Sequence, residues 1–90
     1  MKMKNKIENV EKQKKGLTFS EFQEMWDKAE KFNIEFKKFE DCTVVDVNGS
    51  VIKADSYSVY WKDDHDSLII LFYHDYKIAE INLKYIKSVY

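Results

Sequence analysis

Residues able to do chemistry are few in this 90-residue chain, and they gather in one stretch. Asp63, Asp64, His65 and Asp66 set three carboxylates and an imidazole side by side, with His74 and Asp75 one predicted strand further on. Carboxylates suit hard cations, and imidazole joined to carboxylate suits transition metals. Adjacent residues of one loop rarely converge on a single ion, however. The alternating ligands, central Gly and closing Glu of an EF-hand are also missing. The pattern therefore reads as a solvated turn with no metal. Cys42 falls among apolar residues of a predicted strand, where a free thiol is usually inert filling. His65 and His74 bear no fixed relation to it, and no oxyanion-hole turn is visible. The only two glycines, Gly16 and Gly49, are too far apart for a phosphate-cradling loop. Paired carboxylates acting on a glycoside need a cleft that one short domain seldom provides. The expectation is a protein that is not an enzyme and carries no cofactor.

The elements that position these residues can be read from periodicity. Met3, Ile7 and Val10 form a thin apolar stripe on a Lys-rich segment, so residues 1–16 are expected to be a flexible basic arm before a single domain over 17–90. Thr18 and Glu21 have the spacing of a capping box, and Leu17 with Phe22 that of a hydrophobic staple. Phe19, Phe22, Met25, Trp26, Ala29 and Phe32 then recur at helical intervals, which predicts an amphipathic helix over 19–32 ending near Asn33. From Ile34 the period falls to two, so a first strand is expected to run to Phe39. Residues 42–47 and 50–54 flank Asn48-Gly49, the residue pair of a two-residue type I′ hairpin turn. Tyr57 to Lys62 is a further strand. Ser67 to Tyr73 is apolar on both faces and reads as the most buried strand. His74-Asp75-Tyr76 turns the chain into 77–83, and 84–90 reads as a helical turn followed by a closing strand. The fold class is α+β: one helix packed on an antiparallel sheet of five or six strands, with a strongly curled, barrel-like sheet as the alternative.

Composition narrows the function. Apolar residues are 44% and charged residues 34% of the chain, the balance of a folded protein. No apolar run approaches the roughly 18 residues of a membrane span, and the basic N-terminus lacks the apolar centre of an export signal. With a single cysteine, a cytoplasmic location is expected. All 15 basic residues are Lys, so the planar fork that reads guanine or grips phosphate bidentately is missing. Charge is segregated: residues 1–15 hold six Lys against Glu8 and Glu11, and residues 40–66 hold seven acids against Lys53 and Lys62. Aromatics reach 16%, mostly as core for so small a domain, with Tyr and Trp left over as contact anchors.

These features point to a protein-binding module acting as an inhibitor that covers a basic, nucleic-acid-binding surface of a larger partner. Asp55, Asp63, Asp64 and Asp66 would supply attraction, and Tyr60 and Trp61 desolvated anchor area. The alternative is a small nucleic-acid-binding protein using the Lys-rich arm and sheet aromatics. A homodimer formed by edge-strand pairing is also compatible with the pattern. In size, composition and layout the chain resembles small phage-encoded anti-defence proteins, anti-CRISPR proteins in particular. That resemblance implies a short, single-domain, cytosolic inhibitor without catalytic motifs, directed at a CRISPR effector or another host-defence protein. It carries over no residue roles.

Overall fold

Thr18 starts the one helix as its spacing predicts. In the computed structural model, which describes residues 16–36 and 41–90, the Thr18 side chain accepts from Glu21 N (3.2 Å) while Glu21 Oε1 accepts from Thr18 N (2.9 Å). This reciprocal cap satisfies two of the donors that every helix N-terminus leaves unpaired. The helix, α1, spans Phe19–Glu35 and buries Phe22, Trp26 and Ala29. It overruns the expected stop at Asn33, so Ile34 and Glu35 are helical rather than the start of a strand. The expected strand 34–39 is absent in its described part, and 37–40 lie outside the described residues. Phe36 N continues the ladder to Phe32 O (3.0 Å), and the Phe32 and Phe36 rings meet at 4.6 Å. An i, i+4 ring pair outweighs an alternation only two apolar positions long.

Six strands follow: β1 (Cys42–Asp46), β2 (Val51–Ala54), β3 (Ser56–Tyr60), β4 (Leu68–Tyr73), β5 (Tyr76–Asn82) and, after a 3-10 turn at Leu83–Tyr85, β6 (Ile86–Val89). They do not form the single sheet that was expected, nor a strongly curled one. They divide into two antiparallel three-stranded sheets, ordered β2-β1-β6 and β3-β4-β5. The division falls at Asp55. Its N–H donates to Phe72 O (2.9 Å) and its Oδ2 accepts from His74 N (3.0 Å), so the chain bends there and leaves one sheet for the other. Curvature is concentrated in one residue instead of being spread along continuous strands. The chain returns from the second sheet to the first through the 3-10 turn, pinned by Leu83 N to Ser67 O (2.7 Å) and Val47 N to Tyr85 O (2.8 Å).

The two hairpin turns also exchange roles. Asn48-Gly49 is not a type I′ turn. Only Gly49 has a positive φ (87°), and the β1–β2 loop is organised by Asp46, whose Oδ1 accepts from Asn48 N and Ser50 N (2.8 and 2.9 Å). Gly49 N to Asp46 O and Asp46 N to Ser50 O (both 3.0 Å) close a three-residue loop with Gly in the left-handed position. A carboxylate accepting two local N–H groups decided the turn here. At the β4–β5 connection His74 and Asp75 both have positive φ (52° and 67°), so the type I′ geometry occurs where no glycine is available.

The core lies between the sheets and under α1. Val44, Ile69, Leu71, Leu83 and Ile86 are fully buried there with Phe22. β4 is the central strand of its sheet, but only alternate residues, Ile69 and Leu71, are sealed. Leu68, Ile70 and Phe72 are half-buried, so the strand is less enclosed than its unbroken apolar run implied. Gly16 is buried against the backbone of Lys84 and delivers Leu17, whose N–H donates to Ile86 O (3.1 Å). A Cβ at residue 16 would fall inside van der Waals contact with the Lys84 carbonyl.

Gly16→Ala is therefore expected to lower stability by about 2 kcal/mol, the usual cost of overpacking against backbone. Asp75→Gly, which relieves a left-handed backbone, should raise it by about 1 kcal/mol. Urea denaturation midpoints at constant m-value check both.

Candidate partner-binding surface

The acidic residues singled out by sequence are spread over two places and mostly hold the fold together. Asp63 begins the loop between β3 and β4. Its Oδ1 accepts from His65 N (3.0 Å) and Asp66 N (2.8 Å), and its carbonyl accepts from Ser67 N (3.1 Å). Those two N–H groups hold the Asp63 carboxyl below its ordinary range. Ser67, fully buried beneath, accepts from Lys62 N with its hydroxyl (3.2 Å). Asp66 lies 3.8 Å from Lys84 Nζ. Asp64 is exposed and, among the described residues, has no hydrogen-bond or ion-pair partner, unlike Asp63 and Asp66. Asp55 sits at the opposite end of β3, five residues away, which is roughly 17 Å at ~3.4 Å per residue. It is committed to the bend through His74 N and to Ser56 Oγ (3.2 Å).

Tyr60 and Trp61 also part company. Tyr57 and Val59 pack on the core, so the strand alternation turns Tyr60 to the opposite face, where it is 70% exposed. Trp61 lies on the helix side, edge-on to Phe19 at 5.4 Å, and remains 57% exposed. Of the predicted set, Asp55 alone lies at the start of β3; Tyr60, Trp61, Asp63, Asp64 and Asp66 lie at or just beyond its end, with Tyr60 and Trp61 on opposite faces.

A second surface was not legible in the sequence. Between α1 and strands β1 and β6 runs a groove of about 610 Å³, lined chiefly by Met25, Ala29, Phe32, Thr43, Val89 and Tyr90, with Lys28 and Asp41 at its rim. Phe32 and Tyr90 are large, apolar and exposed. Three carboxylates, Glu30 and Asp27 of α1 and Asp41 beside Cys42 in the chain, lie close enough to the thiol to act on it. Burial, then Glu30, Asp41 and Asp27 in that order, push its thiol from an ordinary 9.0 up to about 12. Tyr57 is raised by burial and by Asp27 and Glu30. Its hydroxyl donates to Gln23 Oε1, and Gln23 Nε2 donates to Asp27 Oδ1 (2.9 Å). Buried Cys42 on β1 and half-buried Tyr57 on β3 thus both lie near Asp27 and Glu30. The helical spacing of Asp27 and Glu30 was the only available signal, since their nearness to Asp41 depends on how α1 lies on β1.

The thiol donates to Trp26 O (3.7 Å) in the core, a packed position rather than a nucleophile's. Among the described residues no group of three or more His, Cys, Asp or Glu is arranged to hold a metal ion, and no helix is long and apolar enough to cross a membrane. No family model matches the chain, and no curated protein or solved structure is similar to it at a significant level.

Because folded Cys42 keeps its proton to about 12 while the unfolded thiol loses it near 9.0, stability is fully present below pH 9 and declines as pH rises toward 12. The thiol contributes a slope of up to about 1.4 kcal/mol per pH unit. Urea titrations from pH 8 to 11 should show this decline, and Cys42→Ala should flatten it even if the variant is less stable throughout.

Proposed function

We propose that this protein is a non-catalytic binding module that docks on a basic surface of a larger protein and inhibits it by occupying that surface. The observation that carries this reading is the charge carried by the described residues. The described residues hold seven lysines against thirteen carboxylates, a formal −6, whereas the whole chain is only −1. The difference resides in residues 1–15 and 37–40, which are Lys-rich. A body of this charge attracts a basic protein surface from a distance and orients it during encounter. The groove beside Asp41, with exposed Phe32 and Tyr90, supplies apolar area where desolvation can add affinity. Trp61 with Asp64 supplies a second contact of the same chemistry at the far end of β3.

Carboxylates held on the helix flank and at Asp64 would stand where phosphate oxygens otherwise sit on such a partner. The resemblance in size and composition to phage-encoded anti-defence proteins makes a nucleic-acid-binding host-defence protein, such as a CRISPR effector, the partner class to test. The competing reading, direct nucleic-acid binding through the Lys-rich arm and sheet aromatics, must overcome repulsion between phosphate and the −6 body.

Association with purified, nucleic-acid-free CRISPR effectors can be followed by surface kinetics at low and moderate salt. Asp27→Lys/Glu30→Lys is expected to slow association at least ~10-fold at low salt, with a smaller effect at higher salt. Asp64→Lys should act in the same direction without unfolding the loop, unlike changes at Asp63. Unaltered on-rates in both variants, or tight binding to nucleic acid alone at low salt, would defeat the proposal.

A further inference from the structure

Strand β4 departs from the alternation its neighbour keeps. An antiparallel sheet with one face in water reads apolar inward and polar outward. β3 obeys: Tyr57 and Val59 pack on the core, while Ser56 and Ser58 point away from it. β4 does not. Ile69 and Leu71 fill the core, but Leu68, Ile70 and Phe72, on the other face, are apolar too and lie outside the packed core. The register places Tyr60, Ser58 and Ser56 directly beside them on one flank, and Asn82, Glu80 and Lys77 on the other. The result is an apolar stripe three side chains long down the middle of an uncovered sheet face, extended by exposed Tyr60.

Charge identifies what fits there. The stripe's two charged flanking residues, Lys77 and Glu80, pair with each other at 2.6 Å, so this face is neutral on a body of −6. A basic partner finds nothing here to steer it, and a nucleic acid finds one lysine that is already engaged. A second copy of this chain presents the same excess of carboxylates over lysines among its described residues, so a face without net charge is where two copies can meet without repulsion. A two-fold arrangement also requires a surface that complements itself. An apolar stripe meets that condition against its own image. So do Lys77 and Glu80, which sit on one strand with opposite signs and can exchange partners across the axis.

We infer that the outer face of the β3-β4-β5 sheet is a homodimer interface in which Leu68, Ile70 and Phe72 pack against the same residues of a second copy. It is independent of the acidic surface proposed above, and the two can fail separately.

Sedimentation velocity over about 5 to 500 µM should show the full chain passing from monomer to dimer. Ile70→Asp, a change at a half-buried position, should keep its circular dichroism spectrum and raise the dimer dissociation constant by more than ~100-fold, since it leaves a charge buried without a partner. Lys77→Glu sets like charges together and should weaken the dimer about 10-fold, and Lys77→Glu/Glu80→Lys should restore it. The charge pair tests the interface even if Ile70→Asp unfolds. A monomer at the highest concentration, or a dimer indifferent to both Ile70→Asp and Lys77→Glu, would overturn the inference.

Discussion

Three rings, Phe22, Trp26 and Tyr57, connect parts of the molecule that the backbone ladders leave separate. Their centroids are 5.0 to 5.7 Å apart, with Tyr57 edge-on to both of its neighbours. Phe22 and Trp26 belong to the helix and Tyr57 to β3, so the cluster fastens α1 to the second sheet. Cys42, donating to Trp26 O, ties the same turn of the helix to the first sheet. Aromatic pairs of this geometry contribute about 0.5–1.5 kcal/mol each beyond the area they bury. In a chain this short, where surface is large relative to volume, a few big side chains must do what a wide aliphatic core does in larger domains. Remove the rings, and the helix loses its aromatic link to the second sheet.

The bend at Asp55 is the second constraint. Asp55 donates its N–H to Phe72 O and accepts from His74 N, so the residue between β2 and β3 is tied to the second sheet where the chain leaves the first. The bend there leaves one side of each sheet facing the core and frees the far side of the β3-β4-β5 sheet. The same device explains why carboxylates abundant in the sequence are unequally available to partners. Asp46 and Asp63 accept from local backbone N–H groups, Asp55 accepts from His74 N across the bend, and the turns they organise depend on those bonds. Short acidic side chains compete effectively for nearby amides, which is why they gather in turns. Negative charge left for recognition therefore sits on the helix flank and at Asp64 rather than wherever aspartates are dense in the chain.

These two constraints divide the surface by chemistry. Asp27, Glu30 and Asp41, together with the groove lined by Met25 and Phe32, form an acidic and apolar side. The outer face of the second sheet is apolar and neutral. A molecule with surfaces of such different character can hold two kinds of contact at once without one excluding the other.

Local signals were legible wherever the cause was itself local. Thr18 and Glu21 announced the helix start because a cap involves residues three apart, and the helical stripe named Phe22, Trp26 and Ala29 because burial follows a 3.6-residue period. All six strands, the 3-10 turn and the α+β class followed from period and turn residues, while the further strand expected over 34–39 did not form in its described part. The sequence could not show that Asp46 would override Asn48-Gly49, because two candidate turns within a few residues differ by single hydrogen bonds. Nor could it show that strands 51–54 and 56–60 belong to different sheets, since no glycine or proline marks Asp55. Residue types and their spacing determined the elements and an acid-rich body. Which carboxylates remain available, and that Asp27 and Glu30 approach Asp41, were decided only when the helix settled on the sheets, because those relations depend on distances between segments that no local spacing encodes.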